Sequence, residues 1–342
     1  MENISPMSDP MYNRIAQFDG NVPSLRIKDG EDFAGWQKKA REELFSLLKL
    51  DRFEKCDPDP VIKKAENEDY TQYEVSFNTE KDFVANAVIR IPVKSRFEDG
   101  KIPSFICLQG HSTGMHISLG TPKYEGDEQT IKGGDRDFAV RIVREGYAAI
   151  ALEQRGFGIE GGDETGPKCH VPAMSALILG RTLLGERVWD VMRTVDLVKA
   201  YFPMLDPEKI GIMGNSGGGT ASVYSAAADE RIAAAMPSCA FSGYKESIGV
   251  QFHCVCNFVP GIAEKFDMGD LAGLIAPRPL VVVSGKDDVI FPIAAAKREF
   301  SVTKEYYEKA GAGDMARHVV GPEGHRFYAD LSWPVMKELT EW

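Results

Sequence analysis

No stretch of this sequence reaches the roughly 18 consecutive apolar residues that a membrane-spanning helix requires. The N-terminus, Met1-Glu2-Asn3-Ile4-Ser5-Pro6, carries no cationic segment leading into an apolar run. A cytoplasmic chain with no membrane partner is the expectation. Basic charge is also short, since 40 Lys and Arg stand against 51 Asp and Glu for a net charge of -11. Nucleic acid recruits basic patches, so it is not expected as a partner. Cysteine is sparse, with six in 342 residues at positions 56, 107, 169, 239, 254 and 256. That is too thin for a disulfide-stapled secreted domain. Cys107 and Cys239 fall in apolar runs and read as buried, inert thiols. Cys254-Val-Cys256 beside His253, with Cys169-His170 elsewhere, suggests zinc ligands at first sight. The C-x-C spacing lacks the usual two-residue gap and no CxxC follows, so packed or loop thiols are expected, with no metal or other cofactor.

What the chain does have is enough apolar residue for a large core: 43% of it is hydrophobic and 27% charged. Residues 1–70 show no strand alternation, and the helical spacing of apolar residues over 32–50 predicts an N-terminal helical extension. From residue 71 the pattern turns to period two, at 73–77 and 83–91, as in a hairpin or meander. After Pro103 one unit repeats, a short apolar strand, a Gly-containing turn and a helix. The strands are read at 105–108, 148–152, 210–213, 233–236, 280–283 and 318–320, and the helices at 137–145, 187–200, 218–228, 293–309 and 328–340. Such continuous apolar strands fit a mostly parallel sheet flanked by helices on both faces, a fold of the α/β class. Two insertions, at about 157–184 and 242–270, break the repeat and are expected to wall a pocket at the strand ends.

Gly214-Asn215-Ser216-Gly217-Gly218 joins a strand to a helix, the setting a G-x-S-x-G elbow demands. Glycine is needed there because a side chain two positions from the serine would collide across the sharp turn. The rival reading, a phosphate-binding turn, lacks the lysine of a P-loop. A serine hydroxyl needs a base, and the base needs an orienting acid. His325 follows the last strand in Gly-Pro-Glu-Gly-His, and Ser284-Gly-Lys-Asp-Asp288 follows the strand before it. Asp287 and Asp288 are not separated by spacing; Asp288 is taken as the acid, with Asp287 left for solvent or a helix cap. His318 lies inside the last strand and reads as a packed or edge residue. The backbone N–H groups of Gly217 and His111 are the expected oxyanion donors. His116, His170 and His253 are loop candidates for substrate contact.

From Phe105 onward the chain resembles the α/β-hydrolase superfamily, in particular its acetyl xylan esterase and dienelactone hydrolase branch. The resemblance rests on Gln109-Gly110-His111, Glu153-Gln-Arg155-Gly-Phe157-Gly158, the elbow at 214–218, Gly285-Lys-Asp-Asp288 with Pro292, and Gly324-His325. In that family the acid commonly stands three residues after the glycine and four before the proline, which selects Asp288. Dienelactone hydrolases proper use a cysteine nucleophile, whereas this elbow holds Ser216. The resemblance implies a serine carboxylic-ester hydrolase acting on a carbohydrate or similar small ester; Arg155, His170, His253 and Phe291 are taken as the candidate substrate-binding residues. A homo-oligomer stays open. The alternatives are a prolyl oligopeptidase-like peptidase, a dienelactone hydrolase-like enzyme, and an inactive binding protein of the same fold; the short N-terminal part speaks against the propeller of the first.

Overall fold

A nine-stranded sheet forms the centre of the computed structural model, which describes residues 8–94, 97 and 100–342. The first seven residues of the expected N-terminal extension lie outside the described residues. In chain order the strands are β1 Val61–Glu66, β2 Tyr70–Glu80, β3 Phe83–Pro92, β4 Ile102–Leu108, β5 Ala148–Leu152, β6 Leu205–Asn215, β7 Ile232–Ser238, β8 Leu280–Gly285 and β9 Ala316–Gly321. They lie side by side as β1-β2-β3-β5-β4-β6-β7-β8-β9. Strands β1 to β3 run antiparallel, β3 meets β5 antiparallel, and all pairings from β5 to β9 are parallel. Every residue of β4 after Ile102, of β5 and of β8 is buried, as helices on both faces require.

The helices are α1 Pro10–Asp19, α2 Phe33–Leu47, α3 Asp127–Gly134, α4 Phe138–Arg144, α5 His170–Ile178, α6 Leu183–Tyr201, α7 Gly217–Ala228, α8 Ile262–Lys265, α9 Met268–Gly273, α10 Ile293–Lys309 and α11 Ala329–Thr340. The sheet separates two cores. Trp36, Leu44, Val188, Val195 and Tyr306 belong to the larger, while Phe105, Phe138, Tyr147 and Trp333 belong to the smaller. The expected strands and helices of the repeating unit are all present, most of them extended by a few residues. One segment departs from expectation: β1 is a strand inside the stretch read as helical lead-in. All six of its residues are exposed, so no alternation of burial marked it. No helix among the described residues is long and apolar enough to cross a membrane.

Candidate active site

Strand β6 ends at Asn215 and α7 begins at Gly217, so Ser216 alone makes the turn, with φ 55° and ψ -124°. A side chain other than glycine in that region is strained, and strain of this kind persists only where its surroundings impose it. Two close approaches impose it here. A Cβ on Gly214 would stand 2.4 Å from the Gly218 carbonyl oxygen, and one on Gly218 would stand 2.2 Å from that of Leu108. The Ser216 amide donates to the Ser238 carbonyl at 2.8 Å, anchoring the elbow to the end of β7. The loop after β4 laps over the elbow: a Cβ on Gly110 would sit 2.7 Å from the Asn215 carbonyl oxygen, and one on Gly217 would sit 2.8 Å from the His111 ring. The elbow and the segment carrying the His111 amide are therefore in contact.

The loops after β8 and β9 meet as closely, for a Cβ on Gly285 would fall 1.9 Å from the Gly324 carbonyl oxygen. The backbone bonds Lys286 N–H to Gly321 and Asp287 N–H to Glu323, both 2.9 Å, hold them in register. This brings His325 Nδ1 to 2.8 Å from Asp288 Oδ2. Asp288 Oδ1 accepts from the amides of Ile290 at 2.8 Å and Phe291 at 3.2 Å. Burial works to raise the Asp288 carboxyl, yet the bond from His325 and the two amides outweigh it and hold the group below the usual carboxylate range. Asp287 next to it is exposed. With Asp288 ionised, Nδ1 carries the proton and Nε2 is left as the basic nitrogen. The Ser238 hydroxyl donates to the Arg326 carbonyl at 3.3 Å, which ties the histidine loop to the same strand end that anchors Ser216.

The side chains named for substrate contact separate into groups. Phe291 stacks on His325 with ring centroids 6.1 Å apart, and His253 meets Phe291 edge-on at 5.3 Å. Burial, with His111 and His325 nearby, lowers the His253 imidazole, which therefore favours its neutral form. His170 is exposed in the first turn of α5. Arg155 departs from expectation: it is 7% exposed and makes two 2.8 Å bonds to Asp190, with ion pairs to Glu80 and Glu186. Its guanidinium also lies over the Phe83 ring at 3.8 Å. Its Nε and Nη2 are committed to these partners, which joins the β2–β3 hairpin to α6. His116 pairs with Asp127 at 2.9 Å in the loop after β4.

Two features escaped the sequence. Glu153 is buried, and that burial pushes its carboxyl up to about 7 although Met115 and Ile159 donate their amides to it. It braces the loop after β4 against the start of the first insertion. The second feature is a cluster of His111, Cys169, Cys254 and Cys256, whose ligating atoms all lie within 4.8 Å of one another. The cysteines flagged in the sequence do converge, but on His111, a residue read only for its backbone amide. Cys107 and Cys239 are buried, and burial pushes both thiols up to about 12.

A family model described as "Abhydrolase family" matches residues 26–318. The protein named "Putative hydrolase YtaP" from Bacillus subtilis (strain 168) is 25% identical over 257 residues, spanning 73% of this chain and 82% of that one. Among solved structures, a "putative acetyl xylan esterase" from Bacteroides fragilis NCTC 9343 superposes with a TM-score of 0.79 at 18% identity, covering 97% of this chain and 95% of the other. A glucuronoyl esterase from Solibacter usitatus gives 0.67 at 15% identity over 94% and 97%.

Proposed function

Because this chain belongs to the Abhydrolase family, the α/β-hydrolase fold, we propose that it is a serine carboxylic-ester hydrolase with Ser216 as nucleophile, His325 as general base and Asp288 as the orienting acid. The observation that carries this reading is a positive-φ serine at a strand-to-helix elbow, together with a 2.8 Å histidine–aspartate pair whose histidine loop is bonded to the same end of β7 that anchors the serine. Neither alone is decisive; together they supply a strained, presented hydroxyl and a base of fixed tautomer.

Ser216 Oγ adds to the ester carbonyl carbon while its proton passes to His325 Nε2. The negative charge that develops on the carbonyl oxygen is received by the N–H groups of Gly217 and His111, fixed dipoles that need no reorganisation. Collapse breaks the bond to the alcohol oxygen, which leaves with the proton from His325. Water, deprotonated by the same nitrogen, then adds to the acyl-enzyme and frees Ser216. Asp288 stays ionised and stabilises the imidazolium. Phe291 stacks on the imidazole and His253 meets Phe291 edge-on, and contact of these two with the acyl or alcohol part belongs to the same proposal.

The substrate proposed is a small acyl group, acetyl foremost, on a carbohydrate or similar alcohol; the names of the acetyl xylan and glucuronoyl esterases with this fold support a sugar ester. The test is hydrolysis of p-nitrophenyl acetate, then of a panel of sugar esters, by the wild type and Ser216→Ala. Turnover that survives in the folded variant above a trace defeats the assignment.

A further inference from the structure

The cluster of His111, Cys169, Cys254 and Cys256 draws on three remote parts of the chain: the loop after β4, the first insertion and the second. His111 turns Nε2 to Cys256 Sγ at 3.3 Å, while its ring lies against Gly217. Cys169 and Cys256 are 3% and 1% exposed. Beside them stands Arg187, 2% exposed, whose Nη2 donates to Cys169 Sγ at 3.2 Å and to the Arg155 carbonyl at 2.7 Å. Among the described residues no carboxylate lies within ion-pair distance of Arg187. A buried guanidinium without a counter-charge is strongly unfavourable, so the thiols facing it are the groups placed to supply one.

We propose that these four side chains form a closed, tetrahedral zinc site that staples both insertions to the loop carrying the His111 amide. Three sulfurs and one imidazole nitrogen are a donor set that selects zinc among the common divalent cations. Zinc bonds of about 2.3 Å to sulfur and 2.0–2.1 Å to nitrogen place tetrahedral ligands roughly 3.6 to 3.8 Å apart. The observed separations, all within 4.8 Å, reach that geometry with shifts of about 1 Å or less. Binding expels three thiol protons and leaves a complex of charge minus one, which Arg187 neutralises. Four protein ligands leave no open position for water, so the ion is structural and takes no part in ester cleavage. Phe157, tilted against the His111 ring at 5.4 Å and under the Arg187 guanidinium at 4.7 Å, closes one side.

The alternative use of three neighbouring thiols is a disulfide with one thiol left over, and the experiment separates the two. The full chain is expressed in zinc-supplemented medium, purified without chelator, and assayed for metal and for free thiols after denaturation. The expected result is about one zinc per chain, kept by Cys56→Ser and lost by Cys254→Ser. Exchange of the wild type with cobalt(II) is expected to give the intense visible bands and the thiolate charge-transfer band of a tetrahedral, sulfur-rich site. Because that spectrum is read on the wild type, it decides even if Cys254→Ser does not fold. Background zinc with no stoichiometric cobalt uptake overturns the proposal, as does a disulfide among Cys169, Cys254 and Cys256 in the freshly isolated protein. None of these readouts depends on the esterase reading.

Discussion

Asp287 and Asp288 differ by one position, yet one is exposed and the other accepts from His325 and two amides. Asp288→Asn keeps the shape but offers an amide where the imidazole needs an acceptor, so kcat is expected to fall by about 10⁴. Asp287→Asn is expected to stay near wild type; steady-state assays of both on one acetyl ester check the pair. His318 supplies a second prediction at this scale. It accepts or donates a 2.9 Å bond with Ser284 and lies 5.1 Å from the Phe300 ring, and burial with Lys297 nearby lowers it from 6.5 to about 4. The unfolded chain therefore takes up this proton first. The contribution of His318 to stability is full above pH 6.5 and is lost as pH falls toward about 4. Wild-type Tm is expected to drop more between those values than that of His318→Gln, and parallel curves for the two would refute it. The packed or edge role read for His318 needed only its place in a strand, whereas the choice between the aspartates needed family spacing, since adjacent residues share every local pattern.

Between β6 and α7, the turn tolerates no added atom. Gly218→Ala would drive its Cβ to 2.2 Å from the Leu108 carbonyl oxygen, a backbone atom that cannot swing aside. The expected cost is about 1–3 kcal/mol or more, with loss of activity as the elbow moves off the loop after β4. Gly133 in α3 has no atom within 4 Å of its missing Cβ. Gly133→Ala is expected to be neutral or to stabilise by about 0.5–1 kcal/mol, by relieving the helix of glycine entropy. Urea unfolding of the two variants measures both. The elements of the repeating unit were legible because strands covered on both faces are apolar throughout and the helices between them carry a 3.6-residue period. The edge strand β1, Val61–Glu66, was not, since all six residues face solvent and two of them are the lysines that discourage edge pairing.

Across the whole molecule, long-range charge pairing assigns Arg155 a role that its position after β5 did not suggest. Its bonds to Asp190 and Glu80 clamp α6 to the antiparallel hairpin, and Arg181 joins the same group through Glu80 and Glu186. Arg155→Met would leave Asp190, 1% exposed, without its cation. A loss of about 3–5 kcal/mol is expected. It is read as a lower urea midpoint, with the KM for a small ester unchanged where the variant remains folded. A rise in KM at undiminished stability would return Arg155 to the substrate-contact group.

The linear chain by itself determined the α/β class, the serine at a strand-to-helix turn, and the Ser, Asp, His order, because each is written in spacing, periodicity and turn chemistry over a few residues. Tertiary packing alone decided that His111 faces three cysteines, that Arg155 is consumed by Asp190 and that Glu153 lies beneath the loop after β4. Those contacts join residues tens to more than a hundred positions apart, through loops with no period, and which of them meet is set by how closely the insertions pack on the sheet.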